Sequence, residues 1–195
     1  MAVQHSFRDE LPSELIVDTS FIVCALISSP GEGTFHEECR GFVARLLDGG
    51  VGLVYSPLLF LETPQAWRSL VKKLSVPELE EAIASWYGAD ALTATAQLAL
   101  LEEERKVRLF RQMDGLVRDL LSLFDTYEVR LTKGLLDEAR DTAARYKLNS
   151  HDALVVALAR RTVPHVAGID ADFLKVEDWL HVWNNRIPAR RKRGK

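Results

Sequence analysis

Four acidic residues, Asp18, Glu62, Asp152 and Asp170, are spaced so that side chains distant in the chain can converge on one point. Carboxylates held within a few ångströms of one another repel. The repulsion raises their pKa values and opposes folding unless a cation compensates. A donor set made only of oxygens suits Mg²⁺ or Mn²⁺, whereas zinc would call for His or Cys ligands that this pattern does not supply. The chemistry indicated is that of a hard divalent ion.

Each acid also has a plainer explanation. Asp18, before Thr19 and Ser20, can cap a helix. Asp152, in a first helical turn, gains roughly 0.3–1 kcal/mol from the helix dipole with no further role. Glu62 can be a solvated helix residue, and Asp170 with Asp172 can be ordinary turn chemistry. His151 is adjacent to Asp152, but neighbours on a helix point about 100° apart, so it reads as a surface or capping residue. His36 reads as structural or exposed.

The elements needed to bring the four together follow from the hydrophobic pattern. Short β-rich apolar runs at 15–17, 51–55, 127–131 and 165–169 predict four strands, and 179–183 a fifth at an edge. Amphipathic or apolar helices are predicted to begin at Phe21 and to cover 35–47, 58–71, 133–146 and 152–160, with a short helix or turn from Asp172. Strands alternating with helices predict an α/β fold in which a mostly parallel sheet of four to five strands is covered on both faces. Ligands then sit outside the carboxyl edge. Asp18 and Asp170 end strands at that edge, and Glu62 lies early in the helix leaving the second strand. The helix of Asp152 runs antiparallel to the strand after it, so its N-terminus falls beside that strand's end.

The chain has 195 residues, 47% hydrophobic and 27% charged, with a formal net charge of -3. That describes a globular protein without a globally basic surface for nucleic acid. No apolar run approaches the ~20 residues of a membrane span, and the first residues are too polar for a signal peptide. Cys24 and Cys39, outside any CxxC or Cys/His cluster, are expected to be reduced and buried, and the location cytoplasmic. One domain is expected over 1–185, with a helical elaboration at 77–124 whose plainer role is scaffold and whose alternative is a lid or dimer arm. Arg186, Arg190, Arg191, Lys192, Arg193 and Lys195 make 186–195 a basic tail, read as a solvated, disordered end or else as a phosphate contact or localisation signal.

The segments LIVDTSFIVCALI (15–27), SPLLFLET (56–63), NSHDALVVALAR (149–160) and VAGIDADFL (166–174) resemble, in order and spacing, the PIN-domain ribonucleases, especially VapC-like toxins of toxin–antitoxin systems. The resemblance implies a PIN-like α/β/α sandwich with an added helical segment and a metal-dependent endoribonuclease. Asp18, Asp152 and Asp170 become the principal ligands of Mg²⁺ or Mn²⁺, and Glu62 a ligand through water or the group orienting the nucleophile. Asp172 matches a further acid of the last motif, and Ser20 a hydroxyl near the first Asp. It also implies an RNA substrate, a cognate antitoxin and a homodimer.

Two features depart from the family: Gly168 stands where many members carry Thr or Ser, and the 77–124 stretch is longer than in a compact toxin. The rivals are a catalytically silent PIN-like module that binds RNA or protein, and a phosphotransferase of the haloacid-dehalogenase type. The second wants an acid two residues after its first Asp, where this chain has Ser20.

Overall fold

A computed structural model describes residues 1–26, 33–71 and 114–185. In chain order these form β1 (Val3–His5), β2 (Glu14–Val17), α1 (Thr19–Leu26), α2 (Gly33–Asp48), β3 (Gly52–Tyr55) and α3 (Leu58–Val71). A helical stretch over 114–122 leads to β4 (Thr126–Glu128), α4 (Lys133–Tyr146), α5 (Ser150–Arg161), β5 (His165–Ala167), a 3-10 turn (Ala171–Lys175) and β6 (His181–Trp183). Most of the 77–124 elaboration and all of the basic tail lie outside the described residues.

The strands form one all-parallel sheet in the order β1-β6-β5-β2-β3-β4. Strict alternation along the short strands makes both faces apolar, as a parallel sheet between two helical layers requires. Leu15, Val17, Leu53, Ala167 and Trp183 join one core with residues of α1, α2 and α3. Their neighbours Ile16, Val54, Val166 and Val182 join another with residues of α5 and the 3-10 turn. The architecture is an α/β/α sandwich. Cys24 and Cys39 are buried thiols outside any disulfide, as expected.

Local chemistry sets the helix boundaries. The Ser56 hydroxyl accepts the Leu58 amide at 3.3 Å and starts α3. Thr132 caps α4 by accepting the Leu135 amide at 3.2 Å. Lys147 ends α4 in the left-handed region (φ 54°), and Asn149 then caps α5. These caps satisfy terminal amides that would otherwise go unpaired. They also fix α5 so that its N-terminus faces the carboxyl edge of β5.

The sheet differs from expectation at its rim. The segment expected as a fifth, edge strand is an interior one, because β1 pairs outside it in the register Val3↔His181 and His5↔Trp183. Three residues carry too little alternation to announce a strand; what holds β1 is tertiary. Phe7, just beyond it, is 3% exposed, stacked on Phe42 at 4.4 Å between centroids and edge-on to Phe21 at 5.8 Å. The third strand is also shorter than expected. Its ladder ends one residue beyond Glu128, where the Val129 amide reaches Tyr55 O at 2.9 Å.

Phe7 is thus the anchor that carries β1. Truncation by Phe7→Ala is expected to lower the free energy of unfolding by about 3–5 kcal/mol, read from urea or thermal denaturation. A loss below about 1 kcal/mol would show that the aromatic stack does not hold this edge.

Candidate metal centre

Asp18 continues β2 by one residue, its amide donating to Ala167 O of β5 at 2.9 Å. Its carboxylate turns back on α1: Oδ2 accepts the Ser20 amide at 3.0 Å and the Ser20 hydroxyl. The Ser20 oxygen in turn accepts the Ile169 amide at 3.3 Å, tying the end of β2 to the connection after β5. The cap role weighed above is therefore real, and it also holds the acid in place. Asp18 is 6% exposed. Burial pushes its carboxyl upward and Asp170 adds to the effect, while hydrogen bonds from Ser20 and Thr19 pull the other way.

Asp152 lies in the first turn of α5, where Asn149 grips it twice. The Asn149 side-chain oxygen accepts the Asp152 amide at 2.9 Å, and its NH₂ donates to Asp152 Oδ2 at 2.7 Å. Burial lifts the Asp152 carboxyl to about 7, helped by the charges of Asp18, Asp170 and Asp172 and opposed by Asn149. A carboxyl that half-protonates near neutral pH lacks a positive partner.

Asp170 caps the 3-10 turn, Oδ1 accepting the Asp172 amide at 2.9 Å. That turn brings Asp172 beside it, where Lys175 Nζ meets Oδ1 at 2.6 Å. One oxygen each of Asp152, Asp170 and Asp172 lies within 4.8 Å of the other two. Oxygens around an octahedral Mg²⁺ at about 2.1 Å stand about 3.0 Å apart when adjacent and about 4.2 Å apart when opposite. The spread fits that shell with small side-chain adjustment. An all-carboxylate donor set with one buried, proton-holding member is what a divalent ion would relieve, so this cluster could hold a metal ion.

The expected quartet is therefore regrouped. Asp152 and Asp170 meet, Asp18 lies buried within their field, and Asp172, expected only as an auxiliary, completes the triad. Glu62 stands beside this group with both oxygens engaged: Oε2 accepts the Thr19 hydroxyl at 2.6 Å and Oε1 pairs with His151 Nδ1. Asp18, Thr19, Glu62 and His151 line one small cleft. His151, a surface or capping residue by sequence, finds its partner on α3, a contact that no pattern within its own helix announces. His36 is structural: it is buried, with Nδ1 on Cys24 O at 2.7 Å.

The structure also accounts for Gly168. A Cβ there would stand 2.6 Å and 2.9 Å from two ring carbons of Phe173, which is fully buried. The ring fills the space a Thr or Ser would need, and the hydroxyl that ties this loop to the site comes from Ser20.

No family model matches the chain, and no curated protein does. Among solved structures, the crystal structure of PAE2754 from Pyrobaculum aerophilum is similar over 87% of this chain and 83% of that chain, at 14% identity and a TM-score of 0.46.

Two outcomes follow. Asp152 has a folded pKa near 7 against an ordinary value near 3.9. The folded state then holds more protons than the unfolded state between those limits, and stability falls as pH rises from about 4 through about 7. In chelator-treated protein at pH 8, Asp152→Asn is expected to be more stable than wild type by about 2 kcal/mol after allowance for solvent screening, the gap closing below pH ~4. Denaturant titrations across pH read this, and a variant less stable at every pH would contradict it. Separately, Gly168→Ser is expected to destabilise by about 1–3 kcal/mol through overpacking. Phe173→Leu in the same chain should reduce that penalty; an unchanged penalty would remove the ring as its cause.

Proposed function

We propose that this protein is a metal-dependent endoribonuclease of PIN type, acting as the toxin of a toxin–antitoxin pair. The observation that carries this is the convergence of Asp152, Asp170 and Asp172 at the carboxyl edge of a parallel sheet, with Asp18 buried beside them. The resemblance of the four sequence segments supplies the reaction class.

Asp152, Asp170 and Asp172 would hold Mg²⁺ or Mn²⁺, with Asp18 contributing charge from beneath. Such an ion supplies neutralisation of the phosphodiester's charge and acidification of a water for attack. The residues of the chain do the rest. Asn149 and Ser20 fix the carboxylates they touch, so the site is ordered before substrate arrives. The proton that burial favours on Asp152 must leave for the cluster to take a cation, which favours activity above pH ~7. Glu62, held by Thr19 and His151, orients groups at the cleft. No covalent intermediate on the protein is required.

RNA is the proposed substrate, and an antitoxin and a second copy of the chain are the proposed partners. Leu61, 65% exposed, and Leu136, 47% exposed, are large apolar residues on α3 and α4 that a partner would cover. No helix among the described residues is long and apolar enough to cross a membrane, and a cytoplasmic location is part of the proposal.

The test is cleavage of a labelled RNA by the full chain with Mg²⁺ or Mn²⁺. Excess EDTA is expected to stop it, and Asp152→Asn and Asp170→Asn are each expected to lower the rate by about 10²-fold or more with folding intact. RNA binding without cleavage would identify a silent module instead. Cleavage that survives both substitutions and EDTA would reject the metal site.

A further inference from the structure

Toward the β1 edge of the sheet, three histidines stand on the adjacent strands β1, β6 and β5. The register places His5 beside Trp183 and His181 beside both Val3 and His165, so all three imidazoles and the indole share one face. His5 lies flat between two rings, stacked on Trp183 at 4.3 Å and on His181 at 5.1 Å between centroids. His165 meets His181 and Trp183 edge-on, each at 5.6 Å. His5 Nε2 and His181 Nδ1 are 2.9 Å apart.

That last contact accommodates a single proton. One nitrogen must donate and the other accept, and two protonated rings would set N–H against N–H. The charged surroundings do little to offset a second proton. Asp9 Oδ2 lies 3.8 Å from His5 Nδ1, but its carboxylate already accepts the Ser6 amide at 2.9 Å and the Ser6 hydroxyl at 2.8 Å. From α2 comes a fixed positive charge, Arg45, bound to the carbonyls of Phe7 and Asp9. From β2 comes only a backbone oxygen, Glu14 O, at 3.1 Å from His165 Nδ1.

We propose that His5, His165 and His181 form an acid-sensitive latch that holds the N-terminal edge strand β1 on the sheet and releases it when more than one of them is protonated. The strand is open to such control because, beside the Phe7 anchor just beyond it, its pairing covers three residues, Val3–His5, at the sheet's margin. Burial is the largest effect and lowers the affinity of both His5 and His165 for protons; the charge of His181 lowers it further, while Asp9 at His5 and the Glu14 carbonyl at His165 pull the other way. Their contribution to stability is therefore complete above the ordinary histidine value near 6.5 and is lost as pH falls through it. This is opposite in sign to the effect of Asp152.

Native-state hydrogen exchange on the full chain tests the latch. The reporters are the Val3 amide, bonded to Leu180 O at 2.8 Å, and the Asn184 amide, bonded to His5 O at 2.9 Å. The reference is the Leu53 amide in the sheet interior, bonded to Asp125 O at 2.8 Å, which cancels global effects. After correction for intrinsic rates, reporter protection relative to Leu53 is expected to fall about tenfold per pH unit below pH ~6.5 for one proton taken up, and about 100-fold for two. His5→Phe keeps a ring on Trp183 without a titrating nitrogen and should flatten the dependence; His165→Gln should reduce it. Wild-type reporters that track Leu53 from about pH 7.5 to 5, or a wild-type slope retained in His5→Phe, would overturn the latch.

Discussion

The pairing of β2 with β5 is the constraint on which the rest of the structure depends. These strands lie about 150 residues apart in sequence, yet Ile16 faces Val166 and Val17 faces Ala167. The pair carries one acid at the end of one strand and two just beyond the other. Bringing them together costs loop-closure entropy, and the return is the burial of Val17 and Ala167 in one core and of Ile16 and Val166 in the other. Beyond the Ser20 bridge from Asp18 to the Ile169 amide, the carboxylates oppose this association by mutual repulsion, which Lys175 meets only at Asp172. Apolar burial in the centre of the sheet therefore sustains electrostatic repulsion at its edge, which is a usual arrangement at functional sites.

Much of this was legible in the sequence because it depended on local signals with known direction. Leu15–Val17 followed by Asp-Thr-Ser reads as a strand entering a capped helix. Asn149-Ser150 before an apolar run reads as a helix start, and the short link after Arg161 fixes which way that helix points. The positions of Asp18, Asp152 and Asp170 at one edge follow from these. What was not legible depended on contacts between elements. β1 has no pattern of its own and exists because Phe7 finds Phe42 and Phe21. Asp172 was demoted to an auxiliary because only the geometry of a 3-10 turn, set by Asp170 as its cap, shows that it swings toward Asp152.

Glu62 shows a different limit. Its helix was placed correctly, and its side chain points into the same cleft as Asp18. Sequence could not say that Thr19 and His151 would occupy both its oxygens. Residue types suggest which chemistry is available, but the division of labour among like residues depends on which lone pairs are already taken. The four aspartates at this edge share one field, and the glutamate is instead the hub between α1, α3 and α5.

Phe173 and Gly168 carry a consequence for how such a site can change. The ring and a side chain at position 168 compete for the same volume. A side chain can enter at 168 only if the ring shrinks or shifts, and the Ser20 hydroxyl already holds the Ile169 amide. Positions 168 and 173 are thus coupled through one volume, so that what is tolerated at the first depends on what stands at the second. A substitution at 168 is therefore best accommodated together with one at 173, and the glycine that reads in isolation as a missing hydroxyl is what the buried ring requires.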